Sequence, residues 1–258
     1  MKKFGLIGHP IEHSLSPALF KAGYDGKYPY DLIQTADFEE AYARFLEEYD
    51  GINVTAPFKE LAIKKADILS EECQKIGATN LLIKTPNGIK AHNSDYLGLR
   101  LWIYKISRLT SLARNDSKKT ILVVGMGGAG KAAAEAARSL GCEVILMNRT
   151  QHTDEIRPLS EFREAFKAAD IIIYNLPVRL PELDILGKED FIESKRKHIL
   201  EANYRNPSFD KELIKKLTEI HPQLEYTSGE TWLLMQALTG YEIFTGEKPD
   251  LEKMAARL

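Results

Sequence analysis

The sequence predicts an α/β protein of two domains, an N-terminal α/β substrate domain and a Rossmann-type dinucleotide-binding domain. Three observations support this prediction. Strand and helix patterns alternate through the N-terminal part of the chain, a glycine-rich turn joins a β-branched run to an Ala-rich segment within residues 121–140, and residues 229–258 are again helical in pattern. Such alternation is typical of α/β folds built on parallel sheets.

The composition is that of an ordinary globular protein, since 44% of the 258 residues are hydrophobic and 28% are charged. A net charge of −2 gives no reason to expect nucleic acid as a partner. No apolar run approaches the ~18 residues of a membrane span, and the initial Met-Lys-Lys leads into a strand pattern and not a signal peptide. We therefore expect a cytoplasmic protein that binds a small molecule and neither a membrane nor nucleic acid.

The chain contains two cysteines, Cys73 in a helical stretch and Cys142 beside a strand. Their positions lack the spacing of metal ligands, so no metal site is predicted. Both are expected to be buried thiols in a reducing compartment.

The N-terminal elements follow one another at short intervals. Ser16 and Pro17 are predicted to cap and start a helix that runs towards Tyr24. A Pro-Asn-Gly turn at residues 86–88 predicts a β-hairpin between the apolar stretches on either side of it. The periodicity also predicts strands at residues 3–7, 30–34 and 51–55, an amphipathic helix at 37–49, and hairpin strands at 79–85 and 89–92.

The domain junction is placed in a polar stretch at residues 113–119, after a helical pattern over residues 96–112. The substrate domain then comprises residues 1–100 and is completed by C-terminal helices at 230–258, while residues 101–229 form the dinucleotide domain, with further strands at 171–175 and 198–201. Two such domains are expected to enclose a cleft that closes by hinge motion.

The glycine turn follows the Gly-x-Gly-x-x-Gly pattern between a strand and a helix, which is the context a dinucleotide site requires. Gly125 permits the tight turn, Gly127 lets the backbone approach a pyrophosphate, and Gly130 lets helix and strand pack closely. Gly128 and Ala129 stand at the helix start, where free N–H groups attract the anion. The alternative is a turn with a purely structural role.

The next apolar strand ends in Asn148-Arg149-Thr150. An NAD-selective fold commonly has an acidic residue near this point, where it accepts hydrogen bonds from the ribose 2′-hydroxyl. A guanidinium at Arg149 would instead pair with a 2′-phosphate and could stack on adenine. The pattern favours NADP, although Arg149 could also be a solvated surface charge.

Two hydroxyls, Ser14 and Ser16, stand beside a predicted helix start. They could clamp a small carboxylate, or Ser16 could simply cap the helix. Thr55 ends a predicted strand and Lys59 follows it, so both stand at the carboxyl end of that strand, where α/β ligands collect. Lys59 considered alone would more often be a surface lysine.

Two further polar residues flank the predicted hairpin. Asn80 precedes it and could be a turn residue, while Asp95 follows it and could be the N-cap of a helix that starts at Tyr96. A capping role for Asp95 does not exclude a catalytic one.

Several motifs in this order resemble the shikimate dehydrogenases over nearly the whole chain. They are Gly-His-Pro-Ile-Glu-His-Ser-Leu-Ser-Pro at residues 8–17, Asn-Val-Thr-Ala-Pro-Phe-Lys at 53–59, Gly-Ala-Thr-Asn at 77–80, Asn-Ser-Asp at 93–95, the glycine turn, Asn148-Arg149-Thr150, Tyr204 and Gln236. The resemblance implies reversible NADPH-dependent reduction of 3-dehydroshikimate to shikimate, a step towards chorismate and the aromatic amino acids. We expect a monomer or a homodimer, and the sequence does not decide between them.

The resemblance also implies a role for each matching residue. Lys59 and Asp95 would flank the carbonyl that receives the hydride. An ammonium there can stabilise and protonate the developing alkoxide, which agrees with that role. The sequence favours Lys59 as the formal proton donor and leaves Asp95 open as the alternative. Ser14 and Ser16 would bind the substrate carboxylate, with Tyr204 nearby. Thr55, Asn80 and Gln236 would form hydrogen bonds with the ring hydroxyls. Glu71 and Gly229 would lie near the cofactor.

The chain departs from the family pattern at residues 175–178, where Asn-Leu-Pro-Val stands in a loop expected near the cofactor, and at Trp232, Leu81 and Ser94. These departures concern the nicotinamide pocket more than the substrate motifs. Two alternatives remain open: a quinate/shikimate dehydrogenase that uses NAD, and a non-catalytic, NADP-responsive sensor on the same scaffold.

Overall fold

The computed structural model describes residues 1–109 and 118–258. The chain divides into two compact units, which comprise residues 1–99 with 233–258 and residues 100–232. Most of the predicted junction at residues 113–119, and the end of the helical pattern predicted to reach residue 112, lie outside the described residues.

The strands of the described residues are β1 (Phe4–Gly8), β2 (Tyr30–Gln34), β3 (Gly51–Val54), β4 (Ile68–Leu69), β5 (Leu81–Thr85), β6 (Gly88–His92), β7 (Thr120–Val124), β8 (Glu143–Met147), β9 (Ile156–Arg157), β10 (Ile171–Tyr174), β11 (Lys197–Glu201) and β12 (Leu224–Thr227). The helices are α1 (Ser16–Gly23), α2 (Phe38–Glu48), α3 (Lys59–Ala62), α4 (Glu71–Ile76), α5 (Ser94–Leu109), α6 (Gly128–Ser139), α7 (Phe162–Ala168), α8 (Pro181–Asp184), α9 (Lys211–Ile220), α10 (Gly229–Thr245) and α11 (Leu251–Ala255).

The first unit contains a six-stranded sheet in the order β2-β1-β3-β5-β6-β4. Strand β5 pairs antiparallel with β3 and β6, and the other pairs are parallel. The hairpin β5–β6 closes at the predicted turn, where Thr85 pairs with Gly88. The carboxyl ends of β1 and β3 therefore lie side by side. Ser14 and Thr55 lie on the loops that follow these strands, while Ser16 and Lys59 begin the helices α1 and α3.

Apolar residues cover both faces of this sheet. Ile7 and Ile52 pack with α2, whose Phe45 is fully buried. On the other face, Phe4 packs with Phe20 of α1 and Phe244 of α10 in an aromatic cluster. Side chains alternate between the two faces of a sheet along each strand. Because helices cover both faces of this sheet, consecutive strand residues are buried on opposite sides of it.

The second unit contains a parallel six-stranded sheet in the order β12-β11-β10-β7-β8-β9. Numbered within the unit, this order is the 3-2-1-4-5-6 arrangement of a Rossmann fold. Helix α6 follows the first strand of the unit, and α7, α8 and α9 build a core around Phe162, Phe166 and Leu213. The predicted two-domain α/β fold class is confirmed.

Several local predictions were wrong. Ser16 does not cap α1, because α1 begins at Ser16 itself and no side chain forms a cap hydrogen bond there. Asp95 is not the N-cap of α5, because α5 begins at Ser94 and the side chain of Asn93 accepts the hydrogen bond from the Tyr96 amide, at 3.1 Å. Cys73 is fully buried as expected, but Cys142 is partly exposed.

Two negative findings apply to the described residues. No helix within residues 1–109 and 118–258 combines the length and the apolar character that a membrane crossing requires. In the same part of the chain, no three side chains of His, Cys, Asp or Glu are grouped closely enough to hold a metal ion.

Candidate active site

Lys59 and Asp95 form a close ion pair in the first unit. The distance between Lys59 Nζ and Asp95 Oδ2 is 2.5 Å, and the two side chains are only 17% and 8% exposed. Lys59 is the first residue of the short helix α3, and Asp95 is the second residue of α5. The helix start favours a carboxylate at Asp95, because the first-turn N–H groups carry partial positive charge.

Backbone hydrogen bonds connect this pair to the end of β3. The Thr79 amide donates to the Lys59 carbonyl at 3.1 Å, and the Val54 amide donates to the Asn80 carbonyl at 2.8 Å. The Ser94 amide, next to Asp95, donates to Asn80 Oδ1 at 2.7 Å. Asn80 is therefore fixed between the segment that carries Lys59 and the segment that carries Asp95.

Asn80 also contacts Gln236 of α10. Asn80 Nδ2 donates to Ser94 Oγ at 3.0 Å and to Gln236 Oε1 at 3.2 Å. Asn80 and Ser94 are buried, whereas Gln236 is partly exposed. The structure thus brings together two of the three residues predicted to bind the ring hydroxyls.

Two glycines allow α10 to approach α5 this closely. A Cβ atom on Gly98 would lie 2.6 Å from the Gln236 amide nitrogen. A Cβ atom on Gly240 would lie 3.1 Å from Ser94 Cβ. The contact between Asn80 and Gln236 therefore depends on residues that carry no side chain.

Two of the three residues predicted to bind the substrate carboxylate, Ser14 and Ser16, lie in the segment between β1 and the start of α1. Ser14 Oγ accepts a hydrogen bond from the Ser16 amide at 3.2 Å. The Thr55 amide donates to the Ile7 carbonyl at 2.9 Å, so the loops after β1 and β3 start side by side. The side chains of Ser14, Ser16 and Thr55 are all partly exposed. These hydroxyls are available to a ligand at the carboxyl edge of the sheet.

Glu72, and not Glu71, is the less exposed acid at the start of α4. Glu71 is exposed at the first position of the helix, while the side chain of Glu72 is 13% exposed and lies 3.6 Å from His92 Nδ1. Burial would raise the pKa of Glu72, but hydrogen bonds with His92, Ser70 and backbone amides together lower it to about 2. The sequence did not predict this pair, although His92 directly precedes the Asn-Ser-Asp motif.

The glycine turn of the second unit has the geometry that the sequence predicts. Gly125 has a φ of +92°, which only glycine adopts readily. A Cβ atom on Gly130 would overlap the Gly125 carbonyl oxygen, whereas one on Gly127 would meet nothing within 4 Å. Open space over Gly127 at the start of α6 fits a pyrophosphate that approaches the backbone.

The loop after β8 is tied to this turn by Asn148. Its Oδ1 accepts from the Met126 amide at 3.3 Å, and its Nδ2 donates to the Thr150 carbonyl at 2.9 Å. Arg149 and Thr150 are exposed. The residues that follow Thr150 line a pocket of about 430 Å³. They are residues 151–154, 156–158 and Glu161. Asn148 shapes the loop that presents Arg149.

The remaining predicted residues of the second unit have different surroundings. A Cβ atom on Gly229 would overlap the Ala202 carbonyl oxygen, so local packing alone requires this glycine. Tyr204 is partly exposed on the loop after β11, and burial raises the pKa of its phenol. Within the described residues, Asn175 Oδ1 and Trp232 Nε1 are buried without a hydrogen-bond partner.

A Rossmann-type sheet with a glycine turn after its first strand, preceded by a separate α/β unit, defines a class of two-domain dinucleotide-binding proteins. Residues 6–82 match the sequence model described as the shikimate dehydrogenase substrate binding domain. Residues 82–219 match that of the NAD binding domain of D-isomer specific 2-hydroxyacid dehydrogenases.

Individual relatives narrow this class. The chain is 31% identical over 260 residues to the shikimate dehydrogenase (NADP(+)) of Aquifex aeolicus, a match that covers 94% of this chain and 91% of the relative. The structure of shikimate 5-dehydrogenase from Thermus thermophilus in complex with shikimate is 28% identical, with a TM-score of 0.76 over 100% of this chain and 97% of that one. The chain belongs to the shikimate dehydrogenase family.

Other relatives are much longer than the matching region. The matches span 11% and 17% of the pentafunctional AROM polypeptides of Candida tropicalis and Scheffersomyces stipitis. The match to the shikimate dehydrogenase of Thermotoga petrophila is 34% identical over 154 residues and covers 57% of this chain and 55% of the relative.

Proposed function

We propose that this protein is an NADP-dependent shikimate dehydrogenase that reversibly reduces 3-dehydroshikimate to shikimate. The observation that carries the proposal is the contact of 2.5 Å between Lys59 Nζ and Asp95 Oδ2, beside Asn80 and Gln236. Membership of the shikimate dehydrogenase family supports it, as does the NADP(+) enzyme of Aquifex aeolicus.

Lys59 is the proton donor in this proposal. When bound, NADPH supplies a hydride to the ketone carbon, and negative charge then develops on the carbonyl oxygen. The Lys59 ammonium stabilises that charge and transfers a proton to the oxygen. Asp95 orients the ammonium, because its carboxylate accepts a hydrogen bond from Lys59 Nζ. The Asp95 side chain is only 8% exposed, so its own position is fixed by the surrounding protein. In the oxidative direction, Lys59 takes up the hydroxyl proton.

The other polar residues of the first unit position the ring. Asn80 and Gln236 meet through their amides, and both are suited to hydrogen-bond hydroxyls next to the reacting carbon. Ser14 and Ser16 offer hydroxyls to the carboxylate, and Thr55 offers one at the end of β3. Orientation of this kind lowers the barrier because the reacting groups are held together before reaction.

The second unit would hold the cofactor. The backbone at Gly127 and the free N–H groups at the start of α6 fit the pyrophosphate. Arg149, exposed on the loop held by Asn148, fits the 2′-phosphate. This arrangement supports NADP over NAD, because no carboxylate occupies residues 148–150 to bind a 2′-hydroxyl.

Initial rates with shikimate and quinate, each with NADP and with NAD, test the proposal. Reduction of the nicotinamide is followed by absorbance, and we expect the highest kcat/KM for shikimate with NADP. A preference for quinate with NAD would identify the quinate enzyme instead. Tight binding of NADP without turnover of either acid would identify a sensor.

Substitution of Lys59 tests the mechanism. We expect Lys59→Ala to lower kcat by about 10²- to 10⁴-fold, the usual contribution of a general acid, with a much smaller change in shikimate binding. Lys65→Ala is a matched control, because Lys65 lies nearby in the chain and pairs with Glu39 at 2.7 Å on the surface. If kcat of Lys59→Ala stays within a few-fold of the wild type, Lys59 is not the proton donor.

A further inference from the structure

The hydroxyl of Tyr241, in α10, contacts the segment that carries Ser14 and Ser16, the two serines predicted to bind the substrate carboxylate. We call residues 14–16 the serine segment. The phenol donates a hydrogen bond to the Ser16 carbonyl oxygen at 3.1 Å, and the side chain is almost fully buried. The backbone amide of Ser16 in turn donates a hydrogen bond to Ser14 Oγ at 3.2 Å. The hydroxyl of Tyr241 thus contacts one of the two serines predicted to bind the carboxylate, Ser16, directly, and is linked to the other, Ser14, through the Ser16 backbone.

The phenol remains a donor throughout the range of an enzyme assay. Burial raises the pKa of Tyr241 far above its usual value, so the hydroxyl stays protonated. Its acceptor is a main-chain carbonyl at the start of α1, and this bond holds the helix start from outside the helix. A buried phenol that lost this partner would carry the cost of an unsatisfied group.

Helix α10 therefore reaches both ends of the candidate substrate site. Gln236 accepts a hydrogen bond from Asn80, and Tyr241 donates one to Ser16. Gly240 lies between them and permits close approach to Ser94. One rigid helix thus sets the distance between the residues predicted for the ring hydroxyls and those predicted for the carboxylate.

We infer that Tyr241 is a positioning residue for substrate binding, which holds Ser14 and Ser16 in register with the substrate carboxylate. The inference rests on the proposed function, since it specifies how the carboxylate end of that site is fixed. Tyr241 does not touch the reacting atoms in this scheme. It acts on substrate affinity and leaves the chemical step unchanged.

The ring of Tyr241 has a separate structural role. It packs edge-on against Phe20 with ring centroids 4.7 Å apart, within the aromatic cluster of the first unit. Tyr241→Phe keeps this packing and removes only the hydroxyl. Tyr24→Phe is the matched control, because Tyr24 belongs to the same cluster but its phenol donates to the Glu247 carbonyl oxygen at 2.9 Å.

The experiment compares KM and kcat for shikimate and for its methyl ester, which lacks the carboxylate charge. We expect Tyr241→Phe to raise KM for shikimate by about 3- to 10-fold, as the loss of one hydrogen bond implies. Its KM for the ester and both kcat values should stay within about twofold of the wild type. Tyr24→Phe should leave both KM values unchanged, with a thermal stability similar to that of Tyr241→Phe.

A double variant provides the second measurement. If Tyr241 acts through the serine segment, Ser14→Ala combined with Tyr241→Phe should raise KM for shikimate by less than the product of the single effects. Equal KM changes for acid and ester, or multiplicative effects in the double variant, would overturn the inference while the wild type remains an active enzyme. A wild type that does not turn over shikimate would overturn the proposed function, and this inference with it.

Discussion

Two glycines of the turn after β7 have different surroundings. At Gly130 the space for a Cβ atom is taken by the Gly125 carbonyl oxygen. At Gly127 that space is open, and the φ of −70° suits any residue. Protein packing therefore explains Gly130, whereas packing does not require Gly127, and a ligand that approaches the backbone would.

We expect the two alanine variants to separate stability from cofactor binding. Gly130→Ala should destabilise the protein by at least about 1–3 kcal/mol, the usual cost of overpacking. Gly127→Ala should leave the melting temperature nearly unchanged and raise KM for NADP about tenfold or more. Thermal unfolding and initial rates measure both effects. A Gly127→Ala enzyme with wild-type KM for NADP would show that no phosphate lies over this residue.

Residue-level predictability depends on whether a side chain belongs to a local motif. Lys59 and Asp95 stand in short, distinctive motifs, and their contact joins positions 36 residues apart. The N-cap of α5 was misassigned, because the polar residues before the helix compete for that role. The hydrogen bond from Asn93 Nδ2 to the Ala78 carbonyl, at 3.1 Å, helps to fix Asn93 as the cap. Tyr241 was missed, because an aromatic residue in a helix indicates only a core position.

At the scale of elements, the carboxyl end of α7 is held by a lysine from β11. Lys197 is buried and donates from Nζ to the carbonyl oxygens of Phe166 and Ala169, at 2.5 and 2.6 Å. These carbonyls are among those that a helix leaves without internal partners. Burial lowers the pKa of Lys197 from 10.5 to about 7, against the opposing effect of Asp170.

This lowered pKa predicts a pH dependence of stability. Between about pH 7 and 10.5 the unfolded chain keeps the Lys197 proton while the folded protein has released it, so the free energy of unfolding rises with pH. Below about pH 7 both states carry the proton and the dependence ends. The slope for this group approaches about 1.4 kcal/mol per pH unit at most. Lys197→Met should remove this contribution.

Urea unfolding of the wild type and of Lys197→Met, from about pH 7 to pH 9.5, gives the free energy of unfolding at each pH. The two proteins are then compared by the slope of this free energy against pH. Lys195→Met is the control, since Lys195 reaches the same helix end, with Nζ 3.4 Å from the Ala168 carbonyl, but is 40% exposed. It should retain the wild-type slope. Parallel pH profiles for the wild type and Lys197→Met would show that Lys197 keeps its proton in the folded protein.

Element prediction succeeded where the apolar pattern was long and failed where it was short. Strand β2 has the predicted bounds, and β7 ends at the predicted glycine turn. The edge strands β9 and β12 were missed, because β9 has two residues and β12 interrupts its apolar positions with Glu225. Pairing with the neighbouring strand, and not local propensity, decides such edges.

At the scale of the whole molecule, the candidate groups divide between the two units. The ion pair, the serine segment, Asn80 and Gln236 belong to the first unit, while the glycine turn and the Arg149 loop belong to the second. The long-range pairing of strands creates both groups, which no local pattern could order in space. Each unit therefore has its own set of backbone amides that a ligand can protect.

Hydrogen exchange with single ligands tests this division. Shikimate alone should slow exchange of amides at residues 14–19 and 94–97 in the first unit, because bound ligand stabilises the segments that it contacts. NADP alone should slow exchange at residues 125–131 and 148–151 in the second. Gly127→Ala should weaken the NADP pattern and leave the shikimate pattern intact. Protection of the glycine turn by shikimate alone, or of residues 14–19 by NADP alone, would contradict this assignment.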